Sequence, residues 1–208
     1  MKPLVSIIVP ACENPKRLPL TLLDVDKKLS EADYSYEILV VGDDSAAGAA
    51  EVVNRFDHLV KDLRFIDGKG SHGMGWAVRR GMLAAKGSYR LFVRAGGVPA
   101  ISRFEEILSC FKDGFQVITN LDAFGFGCFT EEAALKIFGA AKINGRGFMK
   151  EALALAQLFG FRVKKMRIGA GARFASGIHP AALWDTIRIR YWLKRGAYTA
   201  SEKPYESR

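Results

Sequence analysis

Cysteine is scarce in this chain, with three residues among 208. Cys12, Cys110 and Cys128 are odd in number, lie far apart and form no C-x-x-C pair, so the sequence predicts neither a disulfide framework nor a zinc site. Histidine is equally scarce, and its three residues lack the spacing typical of metal ligands. These absences fit a protein of the reducing cytoplasm.

Long apolar runs are also absent. The first apolar stretch, residues 4–9, ends at Pro10 and is followed by Glu13, Lys16 and Arg17. It is too short for the apolar region of a signal peptide and far too short to span a membrane. We therefore expect no membrane-crossing segment.

Acidic residues are outnumbered by basic ones, 22 against 31, which gives a formal net charge of +9. This excess predicts anionic partners, such as phosphates or an acidic membrane surface. Nucleic acid is not expected, because no RNP, helix-turn-helix or zinc motif accompanies the charge. The hydrophobic fraction of 49% is that of an ordinary globular domain.

Apolar runs rich in β-branched residues alternate with amphipathic segments along most of the chain. This alternation predicts right-handed βα crossovers and a mostly parallel sheet in a single α/β domain. The predicted strands occupy residues 4–9, 36–41, 63–66, 89–93, 115–119 and 162–168. The predicted helices occupy residues 17–29, 46–59, 75–85, 101–111, 131–138, 148–159 and 181–195.

The segment before the fifth predicted helix mixes glycine with aromatic residues and is assigned to no strand. We expect its phenylalanines, Phe124, Phe126 and Phe129, to lie in the core. Thr130 has the hydroxyl of a helix N-cap and is expected to cap the helix that follows it.

Residues 70–97 have the layout of a phosphate-binding site. A glycine-broken loop, preceded by Lys69, opens a helix that carries Arg79 and Arg80, and the next apolar strand ends at Arg94. Helix starts and the carboxyl ends of parallel strands are where phosphate ligands bind. Adjacent helix residues point about 100° apart, so we expect one of the two arginines to reach the ligand. A solvated surface charge is the alternative for Arg79.

A series of segments carries further motifs. The first runs from Val-Ser-Ile-Ile-Val-Pro to Lys-Arg-Leu, the second reads Tyr-Glu-Ile-Leu-Val-Val-Gly-Asp-Asp-Ser, and a later one contains Gly-Cys-Phe-Thr. They lie at residues 4–18, 36–45, 73–87, 89–97, 125–138 and 144–161. In this order they resemble the family 2 glycosyltransferases of the GT-A fold, in particular dolichyl-phosphate and polyprenyl-phosphate mannosyl- and glucosyltransferases. The resemblance implies one GT-A-like, Rossmann-related domain over residues 1–199, followed by a polar tail over residues 200–208.

The sequence departs from the family at its carboxylates. The family's Asn-Glu after the first strand begins with Glu13 here, and its metal-binding Asp-x-Asp stands as Arg94-x-Gly96. Its helix Asp is Met149, while the nearby Glu151 remains. The resemblance therefore implies no metal cofactor. The resemblance and the layout of the glycine-rich loop together predict one nucleotide-sugar site. Its residues are Pro10, Glu13, Asp43, Lys69, Arg79, Arg80, Arg94 and Gly96.

Asp43 follows the second strand, where family members contact the nucleotide base. A carboxylate there can accept a hydrogen bond from a ring N–H. The alternative is that Asp43 caps the helix predicted to begin near Ala46.

Arg94 ends a strand that is expected to be buried. A guanidinium in that position costs desolvation energy unless it faces a cleft or an anion, so Arg94 can replace the metal as a counter-charge to a diphosphate. An outward orientation, or a structural ion pair with Glu13 or Asp43, is the alternative. Glu151 is the candidate general base, with a surface charge beside Lys150 as its alternative.

The last predicted helix combines aromatic residues, among them Trp184 and Trp192, with basic ones such as Arg188 and Arg190. Such a helix can lie on an anionic membrane surface, which suits a lipid-phosphate acceptor and a peripheral position on the cytoplasmic membrane face. The alternative is packing on the sheet or on a second subunit, so a homo-oligomer stays open.

The function expected from the resemblance is transfer of a hexose from a nucleotide sugar to a lipid phosphate or another hydroxyl acceptor. The alternative is a catalytically inactive pseudo-glycosyltransferase that binds a nucleotide, a glycan or a partner protein.

Overall fold

The computed structural model of the protein describes residues 2–11, 15–43, 46, 48–70, 72–94, 98–120, 126–167 and 180–198. The strands are β1 (Val5–Pro10), β2 (Tyr36–Asp43), β3 (Leu63–Gly68), β4 (Tyr89–Val93), β5 (Val117–Asn120), β6 (Phe126–Thr130) and β7 (Val163–Met166). The α-helices are α1 (Leu18–Glu31), α2 (Ala49–Phe56), α3 (Met74–Ala84), α4 (Phe104–Lys112), α5 (Glu131–Ala140), α6 (Phe148–Leu158) and α7 (Pro180–Lys194). Short 3-10 helices occupy Pro15–Arg17 and Val98–Arg103.

The strands form one sheet in the order β3-β2-β1-β4-β6-β5-β7. β1 pairs in parallel with β2 and β4, and β2 pairs in parallel with β3. β6 runs antiparallel to its neighbours β4 and β5, whereas β5 and β7 are parallel. The expected α/β domain with a mostly parallel sheet is confirmed.

Helices cover both faces of this sheet, and successive residues of β1 point into different cores. Ile7 packs with Leu22 of α1 and Ile107 of α4. Ile8 packs on the opposite face with Met82 of α3. Because both faces are covered, all six residues of β1 are buried.

Helix α3 lies unusually close to the sheet because Gly81 has no side chain. A Cβ at Gly81 would lie 2.4 Å from Cγ2 of Ile8 and 3.1 Å from Cγ2 of Val41. The helix runs from the carboxyl end of β3 back to the amino end of β4. Its first turn therefore lies at the carboxyl edge of the sheet.

Strand β6 corrects the assignment of the glycine-aromatic segment to no strand. It inserts between β4 and β5, where Phe126 and Phe129 are buried as expected; Phe124 lies outside the described residues. The segment is short and rich in glycine, and its strand conformation is stabilised by pairing with strands that are distant in sequence.

The start of α5 is set by its N-cap residue, Thr130. The Thr130 hydroxyl accepts a hydrogen bond from the amide of Ala133 at 3.4 Å, which confirms the predicted cap. Among the helices within the described residues, none has the length and the apolar composition needed to cross a membrane.

Candidate functional site

The candidate site lies at the carboxyl ends of β1, β2, β3 and β4, which meet at one edge because these strands are parallel. The chain moves outward from β1 to β2 and β3, and then returns to the other side of β1 to form β4. The order of strands therefore reverses between β1 and β4. Ligands of open α/β sheets bind in the crevice at such a reversal.

Two of the predicted site residues flank this crevice. Pro10 is the buried last residue of β1, and Arg94 directly follows β4. The register of β1 and β4 runs from Val5–Tyr89 to Ile8–Phe92, and Pro10 and Arg94 each lie two residues beyond its last pair. Arg94 as a whole residue is half-buried.

Asp43 is the last residue of β2 and pairs with Gly68 of β3. Its backbone is thus at the same edge, while its side chain is not among the described features. The alternative that Asp43 caps the following α-helix is wrong, because α2 begins at Ala49 with Gly48 in the cap position. Glu13 and Gly96 lie outside the described residues.

The loop from β3 to α3 and the first two turns of α3 form an aromatic and basic cluster beside this edge. The rings of His72 and Trp76 stack with centroids 4.5 Å apart, and the Arg80 guanidinium lies 5.8 Å from the centre of the Trp76 ring. Trp76 packs directly over Gly68, where any Cβ would overlap it. Lys69 is exposed, and its carbonyl lies 2.5 Å from Nε2 of His72. The stacking of His72 on Trp76 was not predicted from the sequence, where the available signal was a histidine and a tryptophan within one glycine-rich segment.

The start of α3 is held by the segment before α6. The Trp76 amide donates a hydrogen bond to the Asn144 carbonyl at 3.2 Å, and Gly75 lets that carbonyl approach closely, since a Cβ there would lie 2.7 Å from its oxygen. One of the amides of the first turn of α3 is thus already bound to protein. Because this amide is not available to a phosphate, the cationic side chains at this edge become more important for holding one.

Arg79 and Arg80 do point in different directions. The Arg79 Nε donates to the carbonyl of Phe138 at 3.0 Å, which ties α3 to α5. Burial lowers the pKa of Arg79, and the negative charge of Glu151 acts in the opposite direction. Arg79 is half-buried and bonded, so its interpretation as a solvated surface charge is wrong, and Arg80 is the arginine on the side of Trp76.

Glu151 is fully buried in α6, which corrects its interpretation as a surface charge. Its carboxylate accepts hydrogen bonds from the Lys142 amide at 3.0 Å and 3.1 Å, from the Ile143 amide at 2.8 Å and from the Tyr198 hydroxyl at 2.7 Å. The pKa of Tyr198 is raised, mainly by burial. Its hydrogen bond to Glu151 and the negative charge of that carboxylate raise the pKa further. This geometry favours a structural role for Glu151, as an anchor for the segment that holds α3, and gives no support to its role as a general base.

The fold family commonly implies a divalent cation, so the chemistry of the donors at this edge matters. Hard cations bind carboxylate and carbonyl oxygens, whereas the end of β4 presents the cationic Arg94. Within the described ranges, no group of three His, Cys, Asp or Glu side chains could hold a metal ion. The described end of β4, where Arg94 stands, therefore does not fit a divalent cation.

Helix α7 presents aromatic and basic side chains to solvent. Trp184, Ile187 and Tyr191 are 67%, 53% and 50% exposed. They lie along one stripe, as their spacing of three and four residues requires. Exposed basic residues accompany this stripe, namely Arg188, Arg190, Lys194 and Arg195.

The opposite side of α7 packs on the protein. Ile189 is buried, and Trp192 and Leu193 are half-buried against the core beneath α6. The expected packing of an apolar face and the expected exposure of aromatic residues thus both occur, on opposite sides of one helix.

Comparisons with known proteins agree with this architecture. The family model "Glycosyl transferase family 2" matches residues 6–170. The chain is similar to the "Dolichyl-phosphate beta-glucosyltransferase" of Dictyostelium discoideum, with 27% identity over an alignment of 242 residues that covers 89% of this chain and 73% of that protein.

Solved structures share the fold. Glucosyl-3-phosphoglycerate synthase of M. tuberculosis superimposes with a TM-score of 0.67 at 14% identity, covering 96% of this chain and 82% of that one. The mannosyltransferase PcManGT from Pyrobaculum calidifontis, solved in complex with GDP-Man and Mn2+, gives a TM-score of 0.60 at 15% identity, with 93% and 70% covered.

Proposed function

This chain belongs to glycosyl transferase family 2, and we propose that it transfers a hexose from a nucleoside diphosphate sugar to a lipid phosphate. The relative from Dictyostelium discoideum, named for dolichyl phosphate, supports the acceptor class. The observation that carries the donor class is the position of Arg94, which directly follows β4 beside the crevice between β1 and β4.

Arg94 supplies the positive charge that the donor needs. When the bond between the anomeric carbon and the diphosphate breaks, the electron pair stays with the departing diphosphate and its negative charge grows. A fixed guanidinium beside that oxygen stabilises the transition state more than the ground state. Asp43 at the end of β2 is proposed for the nucleotide base, and Lys69 and Arg80 for the outer phosphate oxygens.

A phosphate acceptor suits a site without a free catalytic carboxylate. A phosphate monoester already carries a charge of about −1.5 to −2 at pH 7, so its oxygen attacks the anomeric carbon without a general base. A sugar hydroxyl needs such a base to take its proton. Met149 is buried and uncharged, and Glu151 is enclosed by hydrogen bonds, so these residues favour the phosphate over the hydroxyl.

We place the lipid at the face formed by α7, which would bind the anionic surface of the cytoplasmic membrane leaflet. Exposed tryptophan and tyrosine suit the level of the lipid headgroups, and the basic side chains suit their phosphates. The helix is also close to the site. Asp185 in its second turn packs on Gly147, three residues after the Asn144 carbonyl that holds α3.

A binding function without catalysis is the second candidate. The same two observations favour it: Met149 is an apolar core residue at the position of the family's carboxylate, and the carboxylate of Glu151 is fully occupied. Such a protein would retain the donor crevice and the α7 face and would form no product.

A transfer assay separates the two candidates. The protein is incubated with UDP- or GDP-hexoses and a short-chain polyprenyl phosphate, with a chelator present, and the glycolipid is measured. We expect product with the chelator, and at least about tenfold less with Arg94→Ala. Arg55→Ala removes an exposed arginine from α2 and is the matched control.

Each result has one interpretation. Product that requires added Mn2+ contradicts the role of Arg94 as the counter-charge. Donor binding without product from any acceptor supports the binding function. Absence of both donor binding and product contradicts both candidates.

A further inference from the structure

A cavity lies at the edge of the sheet opposite the candidate site. It has a volume of about 440 Å³ and is bounded by the amino ends of β2 and β3 and by the turn after α3. Its charged lining residues are Glu37, Lys61, Asp62, Arg64 and Lys86. The volume is typical of small-molecule sites, which span about 300–1,000 Å³.

The floor of this cavity is a fixed carboxylate. Glu37 is 5% exposed, and one of its oxygens accepts hydrogen bonds from the Ser6 hydroxyl and the Lys86 amide, both at 2.6 Å. Its other oxygen accepts from an Arg64 nitrogen at 2.7 Å. Burial alone would raise the pKa of Glu37, but these hydrogen bonds and the charge of Arg64 together lower it. Glu37 therefore stays charged and cancels the charge of Arg64.

Two lysines remain around the cavity mouth. Across the described parts of the chain, the Nζ atoms of Lys61 and Lys86 have no hydrogen-bonding or ion-pair partner, and Arg64 has donors beyond the one that Glu37 uses. Asp62 is the one further acid of this lining, so the cavity carries an excess of positive charge. Phosphate is bound in proteins by ammonium and guanidinium groups that line the same cavity.

We propose that this cavity binds the phosphate group of a small anionic ligand, with Lys61, Lys86 and the outer side of Arg64 as its donors. Val5 pairs with Tyr36 at this edge, and Pro10 pairs with Val41 at the other. Five residue steps of strand separate the two edges by about 17 Å. The site is therefore distinct from the donor crevice, and its existence does not depend on the proposed function.

Phosphate titration followed by amide NMR tests the proposal. Inorganic phosphate is added to the full chain, with chloride at equal ionic strength as the reference. We expect saturable shifts at Glu37, Lys61, Arg64 and Lys86. The double variant Lys61→Gln, Lys86→Gln should bind about tenfold or more weakly, because two charge-assisted contacts are lost. This double variant leaves the hydrogen bonds of Glu37 intact, because Lys86 contributes its backbone amide to them. We therefore expect the variant to fold as the wild type does.

The matched control is Lys112→Gln, Lys165→Gln, which removes the same charge from exposed positions on α4 and β7. Equal weakening by both double variants would show a general charge effect and overturn the proposal. Saturable shifts confined to the carboxyl edge, at Gly42 and Arg94, would overturn it as well.

A second arm distinguishes a soluble phosphate from a lipid headgroup. The same variants are sedimented with phosphatidylcholine vesicles that contain phosphatidic acid. Binding of free phosphate that depends on Lys61 and Lys86 identifies a soluble ligand. Dependence seen with vesicles alone identifies the headgroup. No dependence in either arm up to about 10 mM phosphate overturns the site.

Discussion

Within the part of the chain that the structure describes, the carboxylates of Glu37 and Glu151 are buried and hold neighbouring segments together. Glu37 joins β1, β3 and the turn after α3 through Ser6, Arg64 and the Lys86 amide. Glu151 joins α6 to the preceding segment and to Tyr198. A buried carboxylate is tolerated when donors replace its lost water, and its removal leaves those donors unsatisfied.

Replacing Glu151 by glutamine tests its role as an anchor. A glutamine oxygen in the place of Oε2 can accept from the Ile143 amide, but the NH2 group in the place of Oε1 then faces the Lys142 amide, which is itself a donor, and the Tyr198 hydroxyl. We expect Glu151→Gln to lower the free energy of unfolding by about 1–3 kcal/mol. Tyr198→Phe should cost about 1 kcal/mol, and the double variant less than the sum, because the two share one hydrogen bond. Urea unfolding measures all three, and strict additivity would contradict the contact.

The lowered pKa of Glu37 should make the free energy of unfolding depend on pH in the acidic range. Its pKa is lowered in the folded state, so its contribution is complete above the pKa of the unfolded chain, about 4.3, and is lost as the pH falls through the folded value. The difference in unfolding free energy between the wild type and Glu37→Gln should therefore shrink below about pH 4. Urea unfolding at several pH values measures it. A constant difference down to pH 3 would contradict a lowered pKa.

Helix α7 has two sides with different partners. Its inner side places Trp192 against the core, where the ring lies 6.0 Å from that of Tyr198 and 4.8 Å from the Arg188 guanidinium. Its outer side exposes Trp184 and Tyr191. A test of membrane binding must therefore change the outer residues, because a change at Trp192 would also disturb packing.

Vesicle binding tests the outer side. Trp184→Ala should weaken binding to anionic vesicles about tenfold, since an inserted aromatic side chain contributes about 1.5–3 kcal/mol. Salt should weaken the binding further, because the basic side chains contribute by screened attraction. Leu20→Ala on α1, which also removes a 67% exposed apolar side chain, is the control. Equal binding of Trp184→Ala and wild type would leave the α7 face without its proposed partner.

The elements show which features a sequence reveals. A continuous apolar run predicted β1, apolar spacing of three and four residues predicted α1, and the Thr130 hydroxyl predicted the start of α5, because these signals depend on neighbouring residues. The Phe126–Thr130 strand escaped prediction, since its conformation depends on β4 and β5. Burial of Glu151 escaped too, because its donors come from Lys142, Ile143 and Tyr198. The family resemblance and the ends of the strands predicted that Pro10 and Arg94 share a site; their contacts with a ligand stay a prediction.

On the scale of the whole molecule, the sheet separates two charged edges. Its carboxyl edge carries Arg94, Lys69 and Arg80 near the donor crevice, and its amino edge carries Lys61 and Lys86 around the cavity. Basic side chains that contribute to the net charge of +9 thus lie at both ends of the strands and on the exposed face of α7. This distribution fits a protein whose partners carry phosphates.

Calorimetric titration with UDP- and GDP-hexoses tests the central claim, that Arg94 holds the diphosphate of a nucleotide sugar. A charge-assisted contact contributes about 1.5–3 kcal/mol, so Arg94→Ala should bind the donor about ten- to a hundredfold more weakly than wild type. The control Arg55→Ala should bind as the wild type does, and added Mn2+ should leave the Arg94→Ala affinity unchanged. Equal donor affinity of Arg94→Ala and wild type, or restoration of the variant by Mn2+, would contradict the account.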